Sequence, residues 1–295
     1  MEAVTSMAES GSPAVSRRPA RLGAVALRNE LAKLVRRPAA LVTAGLTLLV
    51  AGLNFGQSWW AARSSAEESF ALPAAWPEIV TGMAQPALIF GSVLLILLVA
   101  GEFSWRTARQ NVIDGLSKEA WFRGKAYLVV VLGLLFLLLQ VAPGAGFAAA
   151  GTDALTLPAL LPGAPQLSAA GGFLLAFLGY GGLALLVAIS VRGTGASVGV
   201  WFLYVALGER LIRTGLGAVG GVAAESARYL PIQVFNSLVR YGQHDPGGLT
   251  PAAAQATGGG STPQVWEWDV LLPVAVAWVA LFFAVSFVVH RRRDL

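Results

Sequence analysis

Few side chains in this sequence could make or break bonds. Its 295 residues include no cysteine and only two histidines, His244 and His290. That excludes a thiolate metal site, a cysteine nucleophile and a histidine-based metal centre. The only Gly-Lys pair lies in Arg123-Gly124-Lys125-Ala126. A phosphate-binding P-loop needs a glycine five residues before Gly124, where Glu119 stands, and Ser or Thr after the lysine. Neither is present. Gly193-Thr194-Gly195-Ala196-Ser197-Val198-Gly199 approaches a dinucleotide fingerprint, but its spacing is wrong and no strand precedes it. Gly195 with Gly199, and Gly52 with Gly56, read instead as small-xxx-small pairs that pack helices closely. The sequence therefore offers no catalytic residue, no metal ligand and no cofactor site of its own.

Polar chemistry concentrates in one stretch, from Gly101 to Lys118. Trp105, Ala108, Val112 and Leu116 recur at helical spacing and predict a short amphipathic helix. Arg106, Arg109, Gln110 and Asp114 then face away from the apolar side, with Gly115 as a helix stop. Such a face is one that a soluble partner could grip, whereas a plain basic loop needs neither this spacing nor Glu102 at its buried edge. A second group is Glu209 and Arg213, four residues apart with Arg210 beside them. It reads either as a polar group on a translocation path or, preferably, as an ion pair at the headgroups.

The elements that position these groups are membrane spans. Hydrophobic residues make up 56% of the chain and charged ones 13%, against about 25% in a soluble domain. Mean hydropathy is +0.65. The uncharged runs predict an all-α fold of six transmembrane helices at about 38–56, 79–101, 126–142, 169–191, 195–208 and 270–289. The fifth is short, and an outer loop of 209–269 follows it. That loop's first half, Gly217–Val239, is apolar enough to dip into the membrane. Before the first span, residues 1–20 read as a disordered cytoplasmic tail. Residues 21–37 read as an amphipathic interface helix, with Leu27, Leu31, Leu34 and Val35 on one side. Arg28, Glu30, Lys33 and Arg36 fall on its other arc.

Orientation follows from the basic residues. With the N-terminus inside, 16 of the 21 fall on inner segments, leaving only Arg63, Arg210, Arg213, Arg228 and Arg240 outside. Both termini are thus expected in the cytoplasm. The net charge of +5 belongs to these inner segments and does not call for nucleic acid. Trp59, Trp60, Trp76, Trp266 and Trp268 fit outer interfaces, Trp105 and Trp121 inner ones.

At this point the chain resembles the membrane subunits of type-2 ABC exporters. Six spans, an N-terminal amphipathic helix and a long last outer loop match that family. So does a Glu closing span two, followed by Thr-x-Arg, Gly-x-Ser and a Lys heading span three. Here these are Glu102, Thr107, Arg109, Gly115, Ser117 and Lys125. Gly115-Leu116-Ser117-Lys118 stands where the family often has Pro-x-x-Arg, which marks a divergent branch. The resemblance implies that residues 103–117 form a coupling helix docked on a cytoplasmic ABC ATPase subunit that binds ATP and Mg. It implies a second permease copy, identical or related, and a bacterial cytoplasmic (inner) membrane. Competing classes are a secondary transporter, which calls for inverted repeats and mid-span charge, and an intramembrane enzyme, which calls for a nucleophile-base pair or clustered ligands.

Overall fold

The computed structural model describes residues 30, 32, 34–64, 70–105, 117–241 and 268–293. Among these, 88% are helical and none lies in a strand, so the fold is all-α. Residues 30, 32 and 34–36 are helical and lead into α1 (Pro38–Ser64). α2 (Trp76–Thr81) and α3 (Ala84–Ser104) follow, then α4 (Lys118–Ala150) and α5 (Leu157–Leu160). α6 (Ala164–Val191) and α7 (Thr194–Leu203) come next. A π turn at Tyr204–Gly208 joins α7 to α8 (Glu209–Val219). α9 (Gly221–Ser226), a 3-10 turn (Ala227–Tyr229), α10 (Pro231–Tyr241) and α11 (Trp268–Arg292) complete the chain.

Among the described residues, six stretches are long and apolar enough to cross a membrane: α1, α2–α3, α4, α5–α6, α7–α8 and α11. They mark an integral membrane protein. The second and fourth form the centre, with 67% and 61% of their apolar windows buried. The first, fifth and sixth form the rim, at 22%, 17% and 17%. Rings interlock at the centre: Phe136 and Phe173 lie 5.9 and 6.1 Å from Phe177. Gly91 makes room for Phe177 on the facing helix, since a Cβ there would overlap its ring.

Three predicted limits need correction. The third helix does not stop before Pro143 but runs on to Ala150 with Pro143 inside it. A membrane helix tolerates an internal proline where other helices pack around it; in this stretch Gln140 Nε2 donates to Val80 O of α2 at 3.1 Å. The fifth span does not end at Gly208 but continues to Val219. Consequently 209–269 is not one loop, because α8, α9 and α10 occupy 209–241. Gly220 and Gly221, at φ of 75° and 56°, make the break between α8 and α9 that only glycine enters freely.

The glycine pairs also differ from expectation. Among the described residues, nothing lies within 4 Å of a Cβ placed on Gly52, Gly195 or Gly199, whereas one on Gly56 meets the Phe147 ring at 3.4 Å. Close helix approach occurs instead at Gly133, Gly144, Gly179 and Gly181. Trp76 and Trp121 are core residues rather than interface anchors, whereas Trp60 and Trp105 are exposed.

Candidate functional site

One end of the bundle, here the proximal end, gathers residues 30, 32 and 34–37, the close of α3, the start of α4, the α6–α7 junction and the end of α11. Its centre is Lys125, fully buried in α4. The ammonium donates to Glu102 Oε1 at 2.7 Å and to Glu30 Oε2 at 2.6 Å. Glu102 spends its other oxygen on Trp121, whose indole Nε1 donates at 2.9 Å. Trp121 and Lys125 stand one turn apart on α4, and the ammonium lies 5.2 Å from the Trp121 ring centroid. His290 of α11 stacks on the indole, with centroids 4.6 Å apart and planes 15° apart. Its Nε2 is 3.2 Å from Lys118 O.

Local sequence explains why these parts meet. Ser117 caps α4, its Oγ accepting from Ala120 N at 3.1 Å, with Glu119 in the first turn. That fixes the phase at which Trp121 and Lys125 point inward. α6 ends at Arg192, which takes a left-handed φ of 60° and sets its guanidinium 5.2 Å from the Phe103 ring. Arg293 donates to Ser190 O, and Lys118 Nζ donates to Arg293 O at 3.4 Å. Arg37 Nη1 donates to Leu98 O at 3.1 Å. Ser104 Oγ and Thr194 Oγ1 are 3.1 Å apart. Charges out of water are tolerable only when paired and hydrogen-bonded, and Lys125 with Glu30 and Glu102 meets that condition. It holds ions in place and presents no nucleophile beside a base.

A second polar cluster lies toward the other, distal end. Glu209 is 2% exposed. Its carboxylate accepts from Ile232 N at 2.7 Å, Gln233 N at 3.2 Å and Tyr204 OH at 3.1 Å. Pro231 opens α10, so the N–H groups of Ile232 and Gln233 have no partner within their own helix. Glu209 supplies the missing cap from 23 residues away. Asn236, one turn on, accepts from Gln85 Nε2 at 2.7 Å and Tyr180 OH at 2.8 Å. Phe235 of α10 fills the gap over Gly179 of α6.

The sequence expectations meet this geometry unevenly. Of the coupling group, Glu102 and Ser117 are described, while Arg106, Thr107, Arg109, Gln110, Asp114 and Gly115 lie outside the described residues. So do Arg28 and Lys33 of the interface helix, and the tail at 1–20. Arg36 is exposed. One position of that helix reverses its expected face: Glu30 is buried. The reason is Lys125, which draws Glu30 inward. Glu209 and Arg213 do not form an ion pair within 4.0 Å; the α10 N-terminus takes the carboxylate, and Arg213 is exposed. Asp269 lies in the first turn of α11. The roles of Glu30, Trp121 and His290 escaped the sequence reading. One signal pointed to them: a lysine seven residues into an apolar helix requires buried partners. Among the described residues, no group of three His, Cys, Asp or Glu could hold a metal.

No known family model and no curated protein matches the chain. The geometry and the residue pattern alone carry the functional reading.

Proposed function

We propose that this chain is the permease subunit of an ATP-binding cassette exporter. In this reading it lies in the bacterial cytoplasmic membrane with both termini in the cytoplasm. It pairs with a second permease copy and takes its energy from a separate ATPase subunit that binds ATP and Mg. Residues 103–117 are the coupling helix. Their position is the argument: both ends of that segment are anchored in the ion cluster centred on Lys125. Glu102 closes the helix before the segment, Lys125 and Trp121 open the helix after it, and Glu30 brings in the N-terminal lead. His290 adds the last span through Trp121. A push on the segment would reach three elements through hydrogen bonds of 2.6–2.9 Å and the last span through the stack of His290 on Trp121. Rigid ionic contacts at the point of loading suit a chain driven by an external motor.

The deciding experiment is co-purification with a candidate ABC ATPase, followed by hydrolysis measurements in nanodiscs. The chain alone should hydrolyse no ATP, and the complex should. Robust turnover by the isolated chain, or failure to bind any ABC ATPase of its own genome, would overturn the reading.

A further inference from the structure

α6 and α11 run side by side from the distal end to the proximal end. At the proximal end Arg293, just past α11, donates to Ser190 O of α6. Near the middle the two helices touch: a Cβ on Gly182 of α6 would lie 3.2 Å from Phe282 Cβ. Toward the distal end they part, and a Cβ on Gly171 meets nothing within 4 Å. The opening is a groove of about 780 Å³. Its walls include Ser168, Gly171 and Leu175 of α6 and Asp269, Leu272 and Pro273 of α11. Sites for small molecules span about 300–1,000 Å³, so the groove has the room of one.

The groove is graded along its length. Ser168 and Asp269 stand at its distal mouth, and Leu175, Leu272 and Pro273 line it one to two turns deeper in the membrane. The mouth is rich in acceptors. Among the described residues, none donates to the Asp269 carboxylate or forms an ion pair with it. Pro273 has no N–H, so the Asp269 carbonyl four residues before it lacks its usual helical donor. Ser168 adds a hydroxyl that can also accept. The first turn of α11 accounts for an acid at this position, but not for the apolar trough beneath it. A negative, acceptor-rich mouth over such a trough fits a positive, donor-bearing head on a hydrocarbon tail.

We propose that this groove binds one phospholipid with a primary-ammonium headgroup, of the phosphatidylethanolamine class, from the leaflet at the distal end. The ammonium donates to Asp269 and Ser168, and one acyl chain lies between the helices along Leu175, Leu272 and Pro273. Lipid tails are already in hydrocarbon, so the trough contributes close packing rather than transfer from water. The headgroup therefore decides which lipid is held. A choline headgroup carries the same charge but has no N–H to donate. A glycerol headgroup brings a phosphate with no cation to offset it beside Asp269. Gly171 keeps the trough open, because a larger side chain there would stand in it. The site rests on the membrane spans alone and not on the exporter reading.

The test offers the full chain, purified in detergent, equimolar dioleoyl phosphatidylethanolamine, phosphatidylcholine and phosphatidylglycerol. Native mass spectrometry then counts the lipids retained. One ethanolamine lipid per chain should be held with about fivefold preference, the scale of one charge-assisted hydrogen bond at a partly exposed site. D269N keeps an acceptor oxygen but loses the charge, and should erase most of that preference. G171L fills the trough and should abolish retention of the lipid. Gly171 and Asp269 are both exposed, so thermal unfolding of the two variants should match the wild type. Equal retention of the three lipids, a preference unaltered by D269N, or retention unaltered by G171L would each refute the site. If G171L instead splits a dimer, a second copy fills the groove. If retention appears only after residues 247–263 are deleted, that segment fills it. Either result overturns the lipid assignment, and neither depends on an ATPase.

Discussion

Glu102 and Lys125 stand 2.7 Å apart although 22 residues separate them, and those residues include the whole connection between the second and third spans. The pair closes that connection at its base. Glu30 reaches the same ammonium from the N-terminal lead, 95 positions away. Three segments that the chain order keeps apart are joined at one buried nitrogen.

The first prediction concerns that nitrogen. Lys125→Met removes the ammonium that two buried carboxylates share, and uncompensated buried charge costs about 3–5 kcal/mol. The variant should give little monodisperse protein and a much lower unfolding temperature in detergent. Adding Glu30→Gln and Glu102→Gln to it should recover most of the loss, because the charges leave together. A triple variant no better than Lys125→Met would show that packing, rather than charge, dominates the cluster.

Close packing at Gly179 yields a second prediction. A Cβ at this position overlaps the Phe235 ring, whereas one at Gly171 meets nothing within 4 Å. Overpacking of this kind costs about 1–3 kcal/mol. Gly179→Ala should lower thermal stability and raise hydrogen exchange across α10, while Gly171→Ala should change neither. Equal behaviour of the two variants would contradict the seating of α10 on α6.

Much of the fold was legible because lipid-spanning helices announce themselves by long uncharged runs. The limits were not, for identifiable reasons. Pro143 ended the third run on paper, yet a membrane helix carries a proline when its neighbours support the gap. Glu209, Arg210 and Arg213 ended the fifth run, because no sequence period reveals a π turn that sorts one charge inward and two outward. The candidate site was half legible. Glu102 stood out at its helix end, but its partner Glu30 was assigned to a solvated face. Helical periodicity places residues within one helix and cannot state which residue of another helix waits opposite. Glu209 was paired with Arg213 on the same logic, while its true partners are backbone groups of a helix 23 residues on.

Topology provides the third prediction, and the absence of cysteine makes it simple to test. Six spans leave Ser117 at the proximal end and the exposed Leu161 at the distal end. In the proposed orientation, Leu161→Cys should react with a membrane-impermeant maleimide on intact cells. Ser117→Cys should react only after the membrane is opened. The opposite pattern would invert the protein and remove the coupling segment from the ATPase side.

The last prediction addresses coupling itself. If residues 103–117 dock on an ATPase, their polar face carries the contact, and that face holds Arg106, Arg109, Gln110 and Asp114. Truncating one partner of a desolvated charged contact costs about 2–5 kcal/mol, whereas losing an exposed charge costs little. Arg109→Ala and Asp114→Ala should therefore weaken co-purification of the ATPase or uncouple hydrolysis from export. Both variants should leave membrane insertion unchanged. Ser117→Ala separates a local structural effect from a docking effect. It removes the cap of α4 and should cost about 1 kcal/mol of stability while leaving the docking face intact. Arg17→Ala, in the N-terminal tail, controls for loss of positive charge alone. Export and ATPase retention by Arg109→Ala and Asp114→Ala at the level of Arg17→Ala would show that the connection is not the coupling element. The force would then have to enter through another part of the proximal end.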